Sequence, residues 1–309
     1  MEVLLRAAAV LSVMFAILVI GMAVRTLRLT TLVIAWRWAL GATLVWMFAL
    51  SWSFAAPDRE ALQDLLWYAV SLISLCPGIA VLGARRPGSA AWTWFVVLPM
   101  LAVLGWPMLT VLGGDNRVAS VQLEIPQLIG FVLVLLMGSG NYIGTKFWSS
   151  SCMYAVAVCL LVAPLSTMAP EGLSDVRARQ LAGLILGAAV AIAVVQGRRS
   201  SSHPSPLDRL WDDFRNSFGI VWANRLQERV NSVARQKSWP LELTPFGILW
   251  SEPLTDHDRH EASVKLEETL RWLLRRFVDP SWIDDRLKSS GNFSVPAVAQ
   301  PETTSIQEG

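Results

Sequence analysis

The sequence predicts an all-α membrane protein of seven transmembrane helices, followed by a small cytoplasmic domain that is mainly helical and could hold a hairpin (α+β). Hydrophobic residues form 53% of its 309 positions and only 16% are charged, which is too apolar for an ordinary soluble protein. The long apolar stretches all precede position 198. We therefore assign residues 1–197 to the membrane, 198–206 to a linker, 207–288 to the cytoplasmic domain and 289–309 to a disordered tail.

Seven apolar stretches are long enough, at about 18 to 24 residues, to cross a hydrocarbon core of about 30 Å as helices. They cover residues 7–24, 32–54, 65–84, 89–112, 125–144, 147–169 and 180–197. Because the links between them are short, we expect neighbouring helices to pack antiparallel.

The charges in these links predict the orientation, since Lys and Arg in short loops are retained in the cytoplasm. One alternate set of links has eight basic residues and no acidic one: Arg25, Arg28, Arg37, Arg85, Arg86, Lys146, Arg198 and Arg199. The other set has eight acidic residues and five arginines. This predicts an outside N-terminus and a cytoplasmic C-terminal domain in the plasma (inner) membrane. The 22 Arg against 4 Lys are typical of a GC-rich bacterial genome.

The most polar patch at membrane depth is residues 138–144, which contain Ser139, Asn141 and Tyr142. Broken helices with free polar groups form ligand sites in some transporters, so these three residues are the predicted ligand contacts. The alternative is a loose turn that joins the fifth and sixth helices.

A second feature is the small-residue face of the seventh helix, formed by Gly183, Gly187 and Ala191. Such a face lets helix backbones approach closely. It predicts packing inside the bundle, and the alternative is a homodimer contact.

The cytoplasmic domain begins with a helix, because Ser205, Pro206 and Asp208 follow the N-cap, N1 and N3 pattern. Apolar residues then recur every three or four positions to about Gln236, which predicts one long helix. Residues 241–244 and 248–250 could form a hairpin. Thr255 caps a second predicted helix, and a short third one follows Asp279.

The long helix carries an aromatic stripe of Trp211, Phe214, Phe218 and Trp222. A domain this small could use these side chains as its core. Alternatively, part of the stripe stays exposed and docks on the bilayer or on a partner protein, so the four residues are the predicted partner contacts.

The sequence predicts no catalytic residue, metal site or cofactor. Apart from peripheral Arg37, no Asp, Glu, Lys, Arg or His lies inside a predicted span, although proton relays, metal sites and acid catalysis in the membrane need such residues. Cys76, Cys152 and Cys159 lie in apolar stretches, and we interpret them as buried apolar side chains. The slightly acidic C-terminal part argues against nucleic acid or anionic lipid as the main partner, since both need clustered positive charge.

Two functions remain open. The first is a non-enzymatic scaffold, assembly or signal-coupling protein whose cytoplasmic domain binds a cytoplasmic or membrane protein. The second is a transporter or channel for a neutral or lipidic solute.

Overall fold

The computed structural model describes residues 2–56, 58–113, 121–166, 175–199, 205–251 and 255–288. The predicted disordered tail and most of the predicted linker lie outside the described residues. In the described ranges, the part that precedes the linker is helical. Its helices are α1 (Glu2–Leu27), α2 (Val33–Ala55), α3 (Glu60–Leu82), α4 (Ser89–Trp92), α5 (Leu98–Leu104), α6 (Trp106–Gly113), α7 (Ile125–Gly140), α8 (Trp148–Val162) and α9 (Asp175–Arg198).

Five helices in these ranges are long and apolar enough to cross a membrane: α1, α2, α3, α8 with the 3₁₀ turn that follows it, and α9. The predicted fourth span is instead divided into α4, a π-helical segment at Thr93–Val97, α5 and α6. Pro107 has no N–H to continue the helix, and the chain turns at Gly105. The predicted fifth span is shortened to the 16 residues of α7.

The bundle closes on itself because α9 packs against both α8 and α1. The small-residue face of α9 makes the contact with α1. A Cβ at Gly187 would lie 1.9 Å from Ser12 Oγ, and one at Gly183 would lie 3.5 Å from the Cβ of Ala9. A second copy of the chain could reach these two glycines only by displacing α1.

The C-terminal region, residues 205–251 and 255–288, comprises four helices and one hairpin. They are α10 (Pro206–Phe218), α11 (Ile220–Gln236), β1 (Leu241–Thr244), β2 (Gly247–Trp250), α12 (Asp256–Leu274) and α13 (Pro280–Lys288). The predicted hairpin is confirmed, with Leu243 paired antiparallel to Ile248. The predicted cap at Thr255 is also confirmed, since its Oγ1 accepts a hydrogen bond from Asp258 N.

The prediction of one long helix to Gln236 is wrong. The chain breaks at Gly219, whose φ is +81°, a value that glycine adopts without the strain of a Cβ. The N–H of Ile220 donates outside the helix, to the carbonyl oxygen of Asn141 at 2.8 Å. The spacing of apolar residues does not reveal this break, because the apolar faces of α10 and α11 pack into the same core.

The cysteines also differ from expectation. Cys76 is buried, but Cys152 and Cys159 are exposed on α8. The interpretation of Cys152 and Cys159 as buried side chains is therefore wrong.

Candidate functional site

The C-terminal region packs against one end of the helix bundle, where it contacts three loops: residues 28–32, 83–88 and 141–147. We call this contact the loop interface. All three loops belong to the set of links that is rich in basic residues. The interface therefore joins the C-terminal region to three separate pairs of helices.

The turn between α12 and α13 bonds to the first two loops. Three main-chain hydrogen bonds of 2.8–2.9 Å make this contact: Thr31 N to Phe277 O, Asp279 N to Leu29 O, and Arg86 N to Arg276 O. An ion pair of 2.9 Å between Arg86 and Asp279 is partly exposed and contributes little by itself. Because main-chain bonds need an ordered backbone on both sides, the turn is held in one position.

The third loop is held by Asn141, which is 2% exposed. Its Nδ2 donates to Phe218 O at 3.1 Å, and its Oδ1 accepts from Val221 N at 3.1 Å. With the bond from Ile220 N to its carbonyl, one residue satisfies both sides of the break between α10 and α11. Breaks of this kind leave main-chain groups that need such partners.

Further contacts surround Asn141. The hydroxyl of Tyr142 donates to Ser217 O at 3.3 Å, and Lys146 N donates to Asn216 Oδ1 at 2.9 Å. Tyr142 lies beyond the end of α7, and burial raises the pKa of its phenol to about 12, so the hydroxyl keeps its proton. Ser139 takes part through its carbonyl, which accepts from Ser151 Oγ at 3.0 Å.

The three predicted ligand contacts are thus brought together, but their observed partners are protein groups. Asn141 and Tyr142 face the C-terminal region, and Ser139 bonds to α8. Solute binding by these residues stays a prediction.

The aromatic stripe is the centre of the core that the loop interface covers. Trp211, Phe214, Phe218 and Trp222 are each at most 6% exposed. Phe277 packs edge-on against three of them, at centroid distances of 4.9–5.4 Å. Burial favours the interpretation of the stripe as core, and a second protein could reach it only if the region opened.

The same core continues into the bundle. Trp222 Nε1 donates to Val81 O, near the end of α3, at 3.1 Å. Leu32, Ala80 and Ala84 of the bundle belong to the same buried cluster as the stripe. The C-terminal region and the ends of α2 and α3 therefore share one hydrophobic core.

Sequence reasoning missed Asn216 and Gly219, and it placed Phe277 on the apolar face of the second predicted helix, whereas α12 ends at Leu274 and Phe277 lies in the turn that follows. Two signals were present. Gly219 interrupts a helical pattern, which makes a continuous helix less favourable. Asn216 is a polar residue next to the apolar stripe. The partners of Asn216 and Gly219 lie 70 or more positions away, and the rings that contact Phe277 lie 55–63 positions away, so no local pattern identifies them.

Sequence reasoning also missed an ion pair between Arg179 of α9 and Asp64 of α3, because it assigned both residues to links between the predicted spans. Arg179 Nη2 lies 2.6 Å from Asp64 Oδ1, and the two side chains are 7% and 14% exposed. The guanidinium also lies 5.8 Å from the ring of Trp67. This pair ties the first turns of α9 to those of α3.

In chemical terms the loop interface offers hydrogen bonds and apolar contact that join two parts of one chain. Comparisons with protein-family models, with curated proteins and with solved structures found no match to this chain. Function must therefore be argued from the geometry.

Proposed function

We propose that this chain is a non-enzymatic protein of the bacterial inner membrane that couples the arrangement of its membrane helices to a protein partner. In this proposal the N-terminus is outside, and the C-terminal region lies in the cytoplasm and binds a cytoplasmic or membrane protein. The observation that carries the proposal is the loop interface.

The loop interface supports coupling because it involves three loops at once. A shift of α2, α3, α7 or α8 moves at least one loop that is hydrogen-bonded to the C-terminal region. A packed interface has discrete arrangements, so small shifts at one end are transmitted and not absorbed. A domain on a free linker would not sense such shifts.

The same contacts support seven crossings. The three contacted loops are separated by pairs of segments: α2 and α3, then α4–α6 and α7. A further pair, α8 and α9, separates the last loop from the C-terminal region. If each segment crosses the bilayer, all three loops lie on the side of the C-terminal region, and the N-terminus lies opposite. The basic residues of these loops then face the cytoplasm.

The experiment compares proteins that co-purify in mild detergent with the full chain and with a form truncated after Arg199. We expect at least one specific partner that the full chain retains and the truncated form loses. Equal recovery with both forms, when both are inserted in the membrane, would contradict the proposal.

A Gly219→Ala chain separates coupling from simple tethering. This substitution strains the loop interface but leaves the exposed surface of the C-terminal region in place. If the region only tethers a partner, recovery is unchanged. If partner binding depends on the arrangement of the membrane helices, the amount of partner recovered changes.

The alternative, a transporter or channel for a neutral or lipidic solute, is favoured by the divided helix between Ser89 and Gly113. Interrupted helices line substrate paths in some transporters. The Tyr68 hydroxyl donates to Leu104 O, at the end of α5. A change in the rate of solute transport into vesicles when Tyr68 is replaced by Phe would favour this function. Equal rates for both chains and for empty vesicles, across neutral solutes and lipids, would exclude it.

A further inference from the structure

The tip of the hairpin exposes an aromatic side chain. Phe246 is 83% exposed and follows Pro245, in the turn between β1 and β2. A single exposed apolar side chain is common on protein surfaces, so Phe246 becomes informative only together with the groups around it.

The hairpin is held in place by one face of α10. Asp208 Oδ1 accepts from Ile248 N at 2.8 Å, and Trp211 Nε1 donates to Thr244 O at 2.8 Å. Arg215, one turn further along, donates to Pro245 O. The turn of the hairpin therefore packs on α10, and Pro245 lies near the end of α10 that contacts loop 141–147.

Arg215 places the tip beside the bundle. Its guanidinium also donates to Gly144 O and lies 5.6 Å from the ring of Phe246. Four residues after Gly144, Trp148 begins α8 with its side chain 54% exposed. A tryptophan at the end of a membrane helix is typical of the headgroup level.

A cavity of about 530 Å³ opens between loop 141–147, the start of α8 and α10, and Phe246 is not part of its lining. Its lining includes two cations, Lys146 and Arg215, and one carboxylate, Asp212, together with Trp148. The lining of the cavity therefore carries a net positive charge. The cavity lies between α10 and the start of α8.

We propose that Lys146, Trp148, Arg215 and Phe246 form a surface that binds anionic phospholipid of the inner leaflet. The rings of Phe246 and Trp148 enter the boundary between headgroups and acyl chains. Lys146 binds the phosphate of one headgroup, while Arg215, which is 8% exposed and donates to Pro245 O and Gly144 O, positions Phe246 and adds positive charge to the cavity wall. This inference rests on the membrane arrangement of the proposed function, and it adds a ligand that the coupling role does not require.

The test places a fluorescent label at Phe246→Cys, in a chain that also carries Cys152→Ala and Cys159→Ala. The protein is reconstituted in vesicles of equal parts phosphatidylcholine and phosphatidylglycerol. Nitroxide-labelled lipids quench from within the bilayer and iodide quenches from water. Two control positions are Met14→Cys, exposed midway along α1, and Val264→Cys, exposed on α12 about 18 Å from the turn at the loop interface.

We expect nitroxide lipids to quench labels at positions 246 and 14, and iodide to quench the label at position 264. If position 14 is quenched by lipid while position 246 behaves as position 264, the lipid surface is refuted and the membrane arrangement stands. If position 14 also escapes the nitroxide lipids, the membrane arrangement itself fails.

The charge requirement is tested with nitroxide-labelled phosphatidylglycerol against labelled phosphatidylcholine. Removing one cation near an anionic headgroup, by Lys146→Gln, is expected to weaken the preference for phosphatidylglycerol about fivefold. Lys265→Gln, on the exposed face of α12, is the matched control and should leave the preference unchanged. Equal preference in the Lys146→Gln and unchanged chains would refute the phosphate contact.

Discussion

The side chain of Asn141 occupies the space that any side chain at position 219 would need. A Cβ at Gly219 would come within 2.2 Å of Asn141 Nδ2 and 2.5 Å of its carbonyl oxygen. The membrane loop and the break between α10 and α11 are therefore fitted to each other at main-chain distance.

Gly219→Ala should loosen the loop interface. The backbone at Gly219 (φ +81°, ψ 177°) lies in a region that only glycine adopts readily, and strain of this kind costs about 1–3 kcal/mol. We expect hydrogen exchange of the Ile220 and Val221 amides to accelerate by roughly 5- to 150-fold. Gly21→Ala is the control, because a Cβ there meets nothing within 4 Å. Equal exchange in the two variants would show that the fit at Gly219 is unimportant.

Asn141→Ala tests the same contact from the membrane side. It leaves Phe218 O and Val221 N without their side-chain partner, and a buried unsatisfied group costs about 1–3 kcal/mol. Asn141→Asp keeps the acceptor for Val221 N but loses the donor to Phe218 O, so we expect an intermediate loss. Proteolysis of the C-terminal region in detergent measures both. If Asn141→Ala resists protease as the unchanged chain does, the side chain does not hold the interface.

The shared aromatic core should be sensitive to truncation of Phe277. Replacing a buried Phe by Ala typically costs about 3–5 kcal/mol. Trp222→Phe keeps most of the packing and removes the hydrogen bond to Val81 O, which costs about 1 kcal/mol. Thermal unfolding of the purified protein should rank the two losses in this order. Trp272→Ala, at a side chain 51% exposed, is the control and should have little effect.

The ion pair between Arg179 and Asp64 should depend on both partners. Removing one partner of a buried pair leaves an uncompensated charge and costs about 3–5 kcal/mol; the loss should be smaller for removal of Asp64, because Arg179 keeps Asp175 at 3.9 Å. Arg179→Met and Asp64→Leu alone should each lower the unfolding temperature, and the double variant should recover most of the loss. A double variant no more stable than the singles would mean that the two residues act independently.

Much of the architecture could be predicted from local patterns. The start of α10 at Pro206, the cap of α12 at Thr255 and the hairpin depend on residues within a few positions of each other. The long apolar helices follow from composition over about 20 residues, because each must cover its own backbone with apolar side chains in lipid.

Only part of the candidate site could be predicted from the sequence. The polarity of residues 138–144 identified Asn141 and Tyr142 as unusual, but their partners, Phe218, Val221 and Ser217, lie 75–80 positions away. A polar patch in a membrane segment looks the same whether it awaits a solute or another part of the chain. Only the packing of the C-terminal region against the loop shows that Asn141 and Tyr142 contact another part of the chain.

The sequence by itself determined where apolar segments and turns occur, because hydrophobic burial and capping depend on near neighbours. The tertiary structure decided that α10 and α11 are separate helices, that Asn141 lies between the two parts of the chain, and that Arg179 pairs with Asp64. Each of these depends on a close approach between distant segments. Such approaches are set by the shape and charge of both surfaces together, which no single stretch of sequence contains.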